Sequence, residues 1–249
     1  MRDRLQIFGW VLVLALTLGC TSERVEDPGD DPAPTWVDSP TEVGDLTLYG
    51  ESRCTATLIG ARIAVTAAHC LWPPFRGSGA NLAVVFSHGA ERRSFAVSRA
   101  RSFDPEGVTA SSTGLNDDVA LLELAQAVPA SLAVPRSIAR EPLTVGAPVT
   151  LVTAASCGQA VHIEGRSLKS FHFDPLARDR ALCPGDSGAP VLEGTSAGPG
   201  PITAVASGYA TTSCAAGAMD RMIFGDVARL GPAIRAQGLA WLRSPLPGE

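Results

Sequence analysis

Leu182-Cys183-Pro184-Gly185-Asp186-Ser187-Gly188-Ala189-Pro190 is the stretch that decides how this chain is read. A serine inside Gly-Asp-Ser-Gly describes a tight turn that presents one hydroxyl. Gly185 permits a backbone course that a side chain would hinder. A serine hydroxyl is a poor nucleophile unless a base takes its proton during attack. Ser187 therefore needs a base, and histidine is the side chain suited to that role. His69 stands in Val65-Thr66-Ala67-Ala68-His69-Cys70, where small neighbours leave room for an imidazole in a crowded cleft. His88, His162 and His172 lack such a setting and are read as hydrogen-bonded structural residues. A carboxylate to orient the imidazole is offered by Asn116-Asp117-Asp118-Val119-Ala120-Leu121-Leu122.

The order along the chain is then histidine, aspartate, serine. A nucleophile elbow of the α/β-hydrolase kind does not fit. It needs Gly-x-Ser-x-Gly, Ala189 holds the last position, and no histidine follows Ser187. The three segments together resemble the trypsin/chymotrypsin-like serine peptidases, and the resemblance covers about residues 43–243. It implies an all-β fold of two six-stranded antiparallel β-barrels of the chymotrypsin type with a C-terminal α-helix. It also implies hydrolysis of peptide bonds through an acyl-enzyme, with His69 as base, Asp118 as orienter and Ser187 as nucleophile. Asp118 is preferred to Asp117 because it directly precedes the apolar run Val119–Leu122. The amides of Gly185 and Ser187 are expected to form the oxyanion hole. Ser207, in Ala204-Val205-Ala206-Ser207-Gly208, matches the serine that supports the aspartate. No metal and no organic cofactor is implied.

The composition agrees with short strands joined by turns. Charged residues make up 18% and aromatics 6%, against 25 Gly and 19 Pro in 249 residues. A net charge of -5 supplies no basic footprint, so nucleic acid is not an expected partner. Protein or peptide substrates are expected, and the chain is expected to act as a monomer.

Residues 1–20 read as a signal peptide. Arg2 and Arg4 precede an apolar run from Leu5 to Leu18 that is short for a membrane span. The run ends Thr17-Leu18-Gly19-Cys20, which resembles a bacterial lipobox with Cys20 as the acylated residue. The alternative is an ordinary secretory signal with an incidental cysteine. The expected location is extracytoplasmic, either lipid-anchored to a bacterial membrane (outer membrane or cell surface) or otherwise secreted. Membrane contact is expected only through that anchor. Residues 21–42 are acidic and proline-rich and read as a solvated tether.

From residue 43 the pattern turns to short apolar runs. Leu46–Tyr49, Ala56–Gly60, Ile63–Thr66, Leu82–Phe86, Arg93–Val97 and Val119–Leu124 read as the strands of a first barrel, about 43–130. Pro129–Pro142 reads as a crossover. Val149–Val152, Val161–Ile163, Ala189–Leu192, Ile202–Ala206 and Met222–Phe224 read as strands of a second barrel, about 143–226. Val227, Leu230, Ile234 and Trp241 change the period, and a helix is expected over about 231–243.

The six cysteines divide unevenly. With Cys20 assigned to lipid, the resemblance pairs Cys54 with Cys70 and Cys183 with Cys214. Cys157 is left as an unpaired thiol, or bridges to Cys183 in a swapped arrangement. In the family, Asp186 pairs with an amino group freed by cleavage at an Ile-Val-Gly-Gly-like sequence. Thr41-Glu42-Val43-Gly44 is the nearest remnant, so Asp186 needs another partner. The specificity pocket falls on Ala181 at its base, beside Leu182, with Ser207, Tyr209 and Met222 on its walls. An alanine base leaves a substrate Lys or Arg unpaired, so small aliphatic residues before the scissile bond are expected. Two other functions stay open: a catalytically silent surface binding protein on the same fold, and a serine esterase.

Overall fold

The computed structural model describes residues 42–71, 81–103, 118–141, 144–153, 161–168, 172–175, 185–195, 198–210 and 221–227. For 161–168, 172–175, 208–210 and 221–226 it describes the backbone alone. All of them belong to one compact unit, Val37–Glu249.

Twelve strands are described: β1 Val43–Leu48, β2 Glu51–Gly60, β3 Ile63–Thr66, β4 Leu82–His88, β5 Glu91–Ser102, β6 Ala120–Leu124, β7 Pro148–Thr153, β8 Val161–Leu168, β9 His172–Pro175, β10 Pro190–Glu193, β11 Ile202–Ala210 and β12 Arg221–Asp226. The first six close into a barrel in the order β1-β2-β3-β6-β5-β4. The remaining strands pair antiparallel in the ring β10-β11-β12-β9-β8-β7. The regular structure of the described residues is thus almost all β, with helical backbone at the 3-10 turn Ala68–Leu71 and at Val227 directly after β12. No helix among them is long and apolar enough to cross a membrane.

Three local features depart from the sequence reading. Tyr49, expected in a strand, sits in the β1–β2 turn with φ 54, followed by Gly50 at φ 85. Two successive positive φ angles give the hairpin a twist that matches its strands. Strand β5 runs well beyond Arg93–Val97, held by its pairing with β4 and β6, although only Phe95, Val97 and Ala100 are buried in it. Its register shifts between Val97 and Arg99, which breaks the two-residue alternation. Strand β9, His172–Pro175, has no apolar run to announce it.

Glu42 departs too. Composition places it in the tether, yet it is 4% exposed. Its carboxylate pairs with Arg136 through both Nε, at 2.7 Å, and Nη2. Its carbonyl accepts from the Leu58 amide at 2.8 Å.

Strand β6 is buried at every position, including Glu123, whose carboxylate lies 3.6 Å from the Arg62 guanidinium. Its other four residues are apolar, as burial on both faces requires. Ala120, Leu122 and Leu124 enter the interior of the first barrel with Leu46, Leu58, Val84, Phe86 and Phe95. Leu121 points the other way, into a second cluster that joins Val65 and Val119 to Val152, Leu192, Ile202, Val205 and Val227. That cluster cements the first six strands to the last six. Each fully buried leucine or valine contributes about 1.5–3 kcal/mol by leaving water. The crossover is stitched to both sides. Arg136 N donates to Leu58 O, and Ile202 N donates to Ser137 O, each at 2.8 Å.

Candidate active site

The 3-10 turn Ala68–Leu71 directly follows β3 and carries His69. Cys70 in the same turn is joined to Cys54 on β2 by a disulfide, with the Cα atoms 6.0 Å apart. This is the Cys54–Cys70 pairing the resemblance implied. The bridge fixes the turn to the barrel wall, so His69 stands on a covalently anchored element.

Asp118 lies just before β6 and is fully buried. It holds His69 at two points: Oδ1 accepts from the His69 backbone N–H at 2.8 Å, and Oδ2 faces Nδ1 at 2.7 Å. The Ser207 hydroxyl, from β11, also donates to Oδ2. Three donors on one buried carboxylate hold it in place and satisfy it. A carboxylate against Nδ1 places the ring proton there and leaves Nε2 as the acceptor. Asp117 lies outside the described residues.

Ser187 sits in the turn Gly185–Ala189, which leads into β10. The carbonyls of Gly185, Asp186 and Ser187 each accept a hydrogen bond. Thr55 Oγ1 donates to Gly185 O at 3.0 Å. Ala189 N donates to Asp186 O at 3.0 Å, and Thr55 N donates to Ser187 O at 2.8 Å. Gly188 N donates to Ala206 O at 2.7 Å. Gly185 takes φ 106 and Gly188 φ 85, a backbone region open to glycine and strained for other residues. Among the described residues the amides of Gly185 and Ser187 form no hydrogen bond, so two donors remain open beside the hydroxyl. No hydrogen bond joins Ser187 to His69 either. In ligand-free sites such bonds are often long and tighten only with substrate bound.

Asp186 is 4% exposed and is not without a partner. Val43 and Gly44 of the remnant Thr41–Gly44 are locked in β1, opposite Thr57 and Ala56. Ser207, expected both as pocket wall and as support for the aspartate, turns its hydroxyl to Asp118. Tyr209 and Met222 are backbone partners across β11 and β12. Ala181, Leu182, Cys183, Cys214, Cys157 and Cys20 lie outside the described residues, as do residues 231–243. What the sequence reading missed is Thr55, whose only advance signal is its place next to Cys54.

Cys54, His69 and Cys70 bring their potential ligand atoms within 4.8 Å of one another. The two sulfurs are bonded to each other, so neither is a thiolate available to a metal.

The family model described as Trypsin matches residues 42–152, a little under half of the chain. That span contains His69 and Asp118 and stops short of Ser187. Human heparin binding protein is similar in structure at a TM-score of 0.61 with 20% identity, over 84% of this chain and 94% of that one. Neuropsin, a serine protease expressed in the limbic system of mouse brain, is similar at 0.60 with 16% identity, over 80% and 95%. The fold is trypsin-like. No curated protein matches the chain in sequence. The site lies where the end of β3, the start of β6 and Ser207 within β11 meet the turn before β10.

Proposed function

We propose that this chain is a trypsin-like serine endopeptidase with His69, Asp118 and Ser187 as its catalytic triad. The observation that carries the reading is the buried Asp118 carboxylate, held by Ser207 and holding His69 at both its backbone and its ring. His69 Nε2 accepts the Ser187 proton as Oγ attacks the substrate carbonyl. Asp118 stabilises the imidazolium that forms, and that imidazolium then gives its proton to the departing amine. The open amides of Gly185 and Ser187 receive the oxyanion. Water, activated by the same histidine, releases the acyl group and restores the enzyme.

The complete domain, in this reading, spans residues 43–243 as two barrels with a C-terminal helix. Cys183 and Cys214 bridge across the nucleophile segment. Ala181, Leu182, Tyr209 and Met222 shape a shallow apolar pocket that selects Ala, Val or similar residues and rejects Lys and Arg. Cys20 carries lipid and tethers the domain outside the cytoplasm through residues 21–42.

A second reading is a binding protein without hydrolysis. The likeness to heparin binding protein favours it, since the same fold there bears a binding name. The net charge of -5 weighs against a polyanion as the ligand of this chain. A fluorophosphonate probe separates the two readings. Labelling of the full chain that vanishes in Ser187→Ala is expected. A chain that takes no label, or labels equally after the substitution, overturns the peptidase assignment.

A further inference from the structure

Thr55 is fully buried at the seam between the first barrel and the Ser187 turn. It contributes two donors to that turn. Its amide holds Ser187 O at 2.8 Å, and its hydroxyl holds Gly185 O at 3.0 Å. Its own carbonyl is fixed by the Thr66 hydroxyl at 2.7 Å. One residue of the first barrel thus grips the turn at both ends of Gly185-Asp186-Ser187. The carbonyl between them, on Asp186, is already taken by Ala189 N.

This grip matters because of what Gly185 is. At φ 106 it occupies a region where glycine is broadly free, so nothing in its own covalent structure fixes the direction of its N–H. A donor acts as part of an oxyanion hole only when it is aimed before the charge develops. Among the described residues Thr55 Oγ1 is the one side-chain hydroxyl that donates to the backbone of this turn. The Cys70 sulfur also lies 3.7 Å from Ser187 O but, being in a disulfide, carries no proton. The Gly185 carbonyl lies in the peptide plane on the Asp186 side and the amide in the plane on the Pro184 side, with φ and ψ of Gly185 between them. Holding the carbonyl removes one of these freedoms and narrows the directions the open amide can take.

We propose that Thr55 is a positioning residue, whose hydroxyl orients the Gly185 amide toward the oxyanion. The inference rests on the peptidase reading above. It adds a residue that touches neither substrate nor the reacting atoms.

The test uses the full chain with Thr55→Val, which keeps the shape and removes the hydroxyl, and Thr55→Ser, which keeps the hydroxyl. Both retain the backbone donor to Ser187 O. A short peptide aldehyde ending in valine serves as the oxyanion-forming probe, and the matching peptide alcohol as the control. With Thr55→Val, kcat on a peptide ester is expected to fall about tenfold with KM within twofold, a fraction of the effect of deleting an oxyanion donor outright. Aldehyde affinity is expected to fall by a similar factor while alcohol affinity stays within twofold. Thr55→Ser is expected to restore both to within about threefold. Equal losses for aldehyde and alcohol, an unchanged kcat, or a serine variant as impaired as the valine one would overturn the proposal. Should Thr55→Val not fold, Thr55→Ala with the same two ligands decides by the same criterion. A wild-type chain that neither hydrolyses the ester nor labels with fluorophosphonate defeats the peptidase reading itself, and this proposal with it.

Discussion

Gly188 packs so closely on Thr55 that a Cβ added to it would overlap the Thr55 carbonyl oxygen and the Thr66 hydroxyl. The Ala67 amide nitrogen would stand 3.1 Å from the same atom. Two of these three obstacles are backbone, which cannot swing aside. Gly188→Ala also forces an L side chain to φ 85. Left-handed backbone alone costs roughly 1–2 kcal/mol, and overpacking adds a similar amount. We expect Gly188→Ala to lower the unfolding free energy by about 3 kcal/mol in urea titration. Any chain that still folds should lose fluorophosphonate labelling. A variant with unchanged stability would mean that the turn does not sit against β2 as described.

Asp118→Asn tests the orienter. The asparagine oxygen can keep the bond from the His69 amide. Its NH2 group then meets Nδ1 and forces the ring proton onto Nε2, the nitrogen that must accept from Ser187. The fold should survive, while kcat falls by roughly four orders of magnitude. Steady-state kinetics beside a thermal melt separates the two effects. Activity within tenfold of wild type would remove Asp118 from the mechanism.

The pH profile follows from the base. Imidazole is the side chain that ordinarily changes charge between pH 5 and 8. Only the neutral form of a histidine base can take the Ser187 proton, so kcat/KM should be lower on the acid side and level off on the alkaline side. Measuring hydrolysis of a peptide ester across that interval checks the direction. A flat profile would contradict a histidine base.

The Glu42–Arg136 pair offers a test of the seam at the start of β1. Arg136 also donates to Pro199 O at 3.0 Å, so it ties β1 and the crossover to the loop before β11. Glu42 is buried while the Arg136 side chain is 26% exposed. Removing the arginine therefore leaves a largely desolvated carboxylate unmatched, at a cost below the roughly 3–5 kcal/mol of a fully buried pair. Arg136→Met should destabilise the fold in urea. Adding Glu42→Leu to it should recover most of the loss, although Pro199 O remains without its donor. An Arg136→Met variant as stable as wild type would show that the pair is solvated.

What the sequence revealed and what it hid follow from physics. The all-β class and the closed first barrel were legible because Leu58, Val65 and Leu122 stand in short apolar runs between turn residues. His69, Asp118 and Ser207 were legible because each lies in a motif whose spacing the chemistry constrains. Strand β5 was read too short because its buried positions are sparse and change phase at a register shift. Glu42 was read as solvated because composition does not see Arg136 far along the chain. Thr55 was invisible for a similar reason, since its partners lie in another part of the molecule and its own neighbourhood carries no motif.

The grip of Thr55 on Gly185 spans 130 positions of sequence. Chains are made from the N-terminus forward, so β2 leaves the ribosome long before Ser187 is translated. On the peptidase reading, His69 and Asp118 then have no nucleophile to serve through that interval, and the nascent polypeptide stays inert toward its neighbours until the segments carrying Thr55 and Ser187 have met.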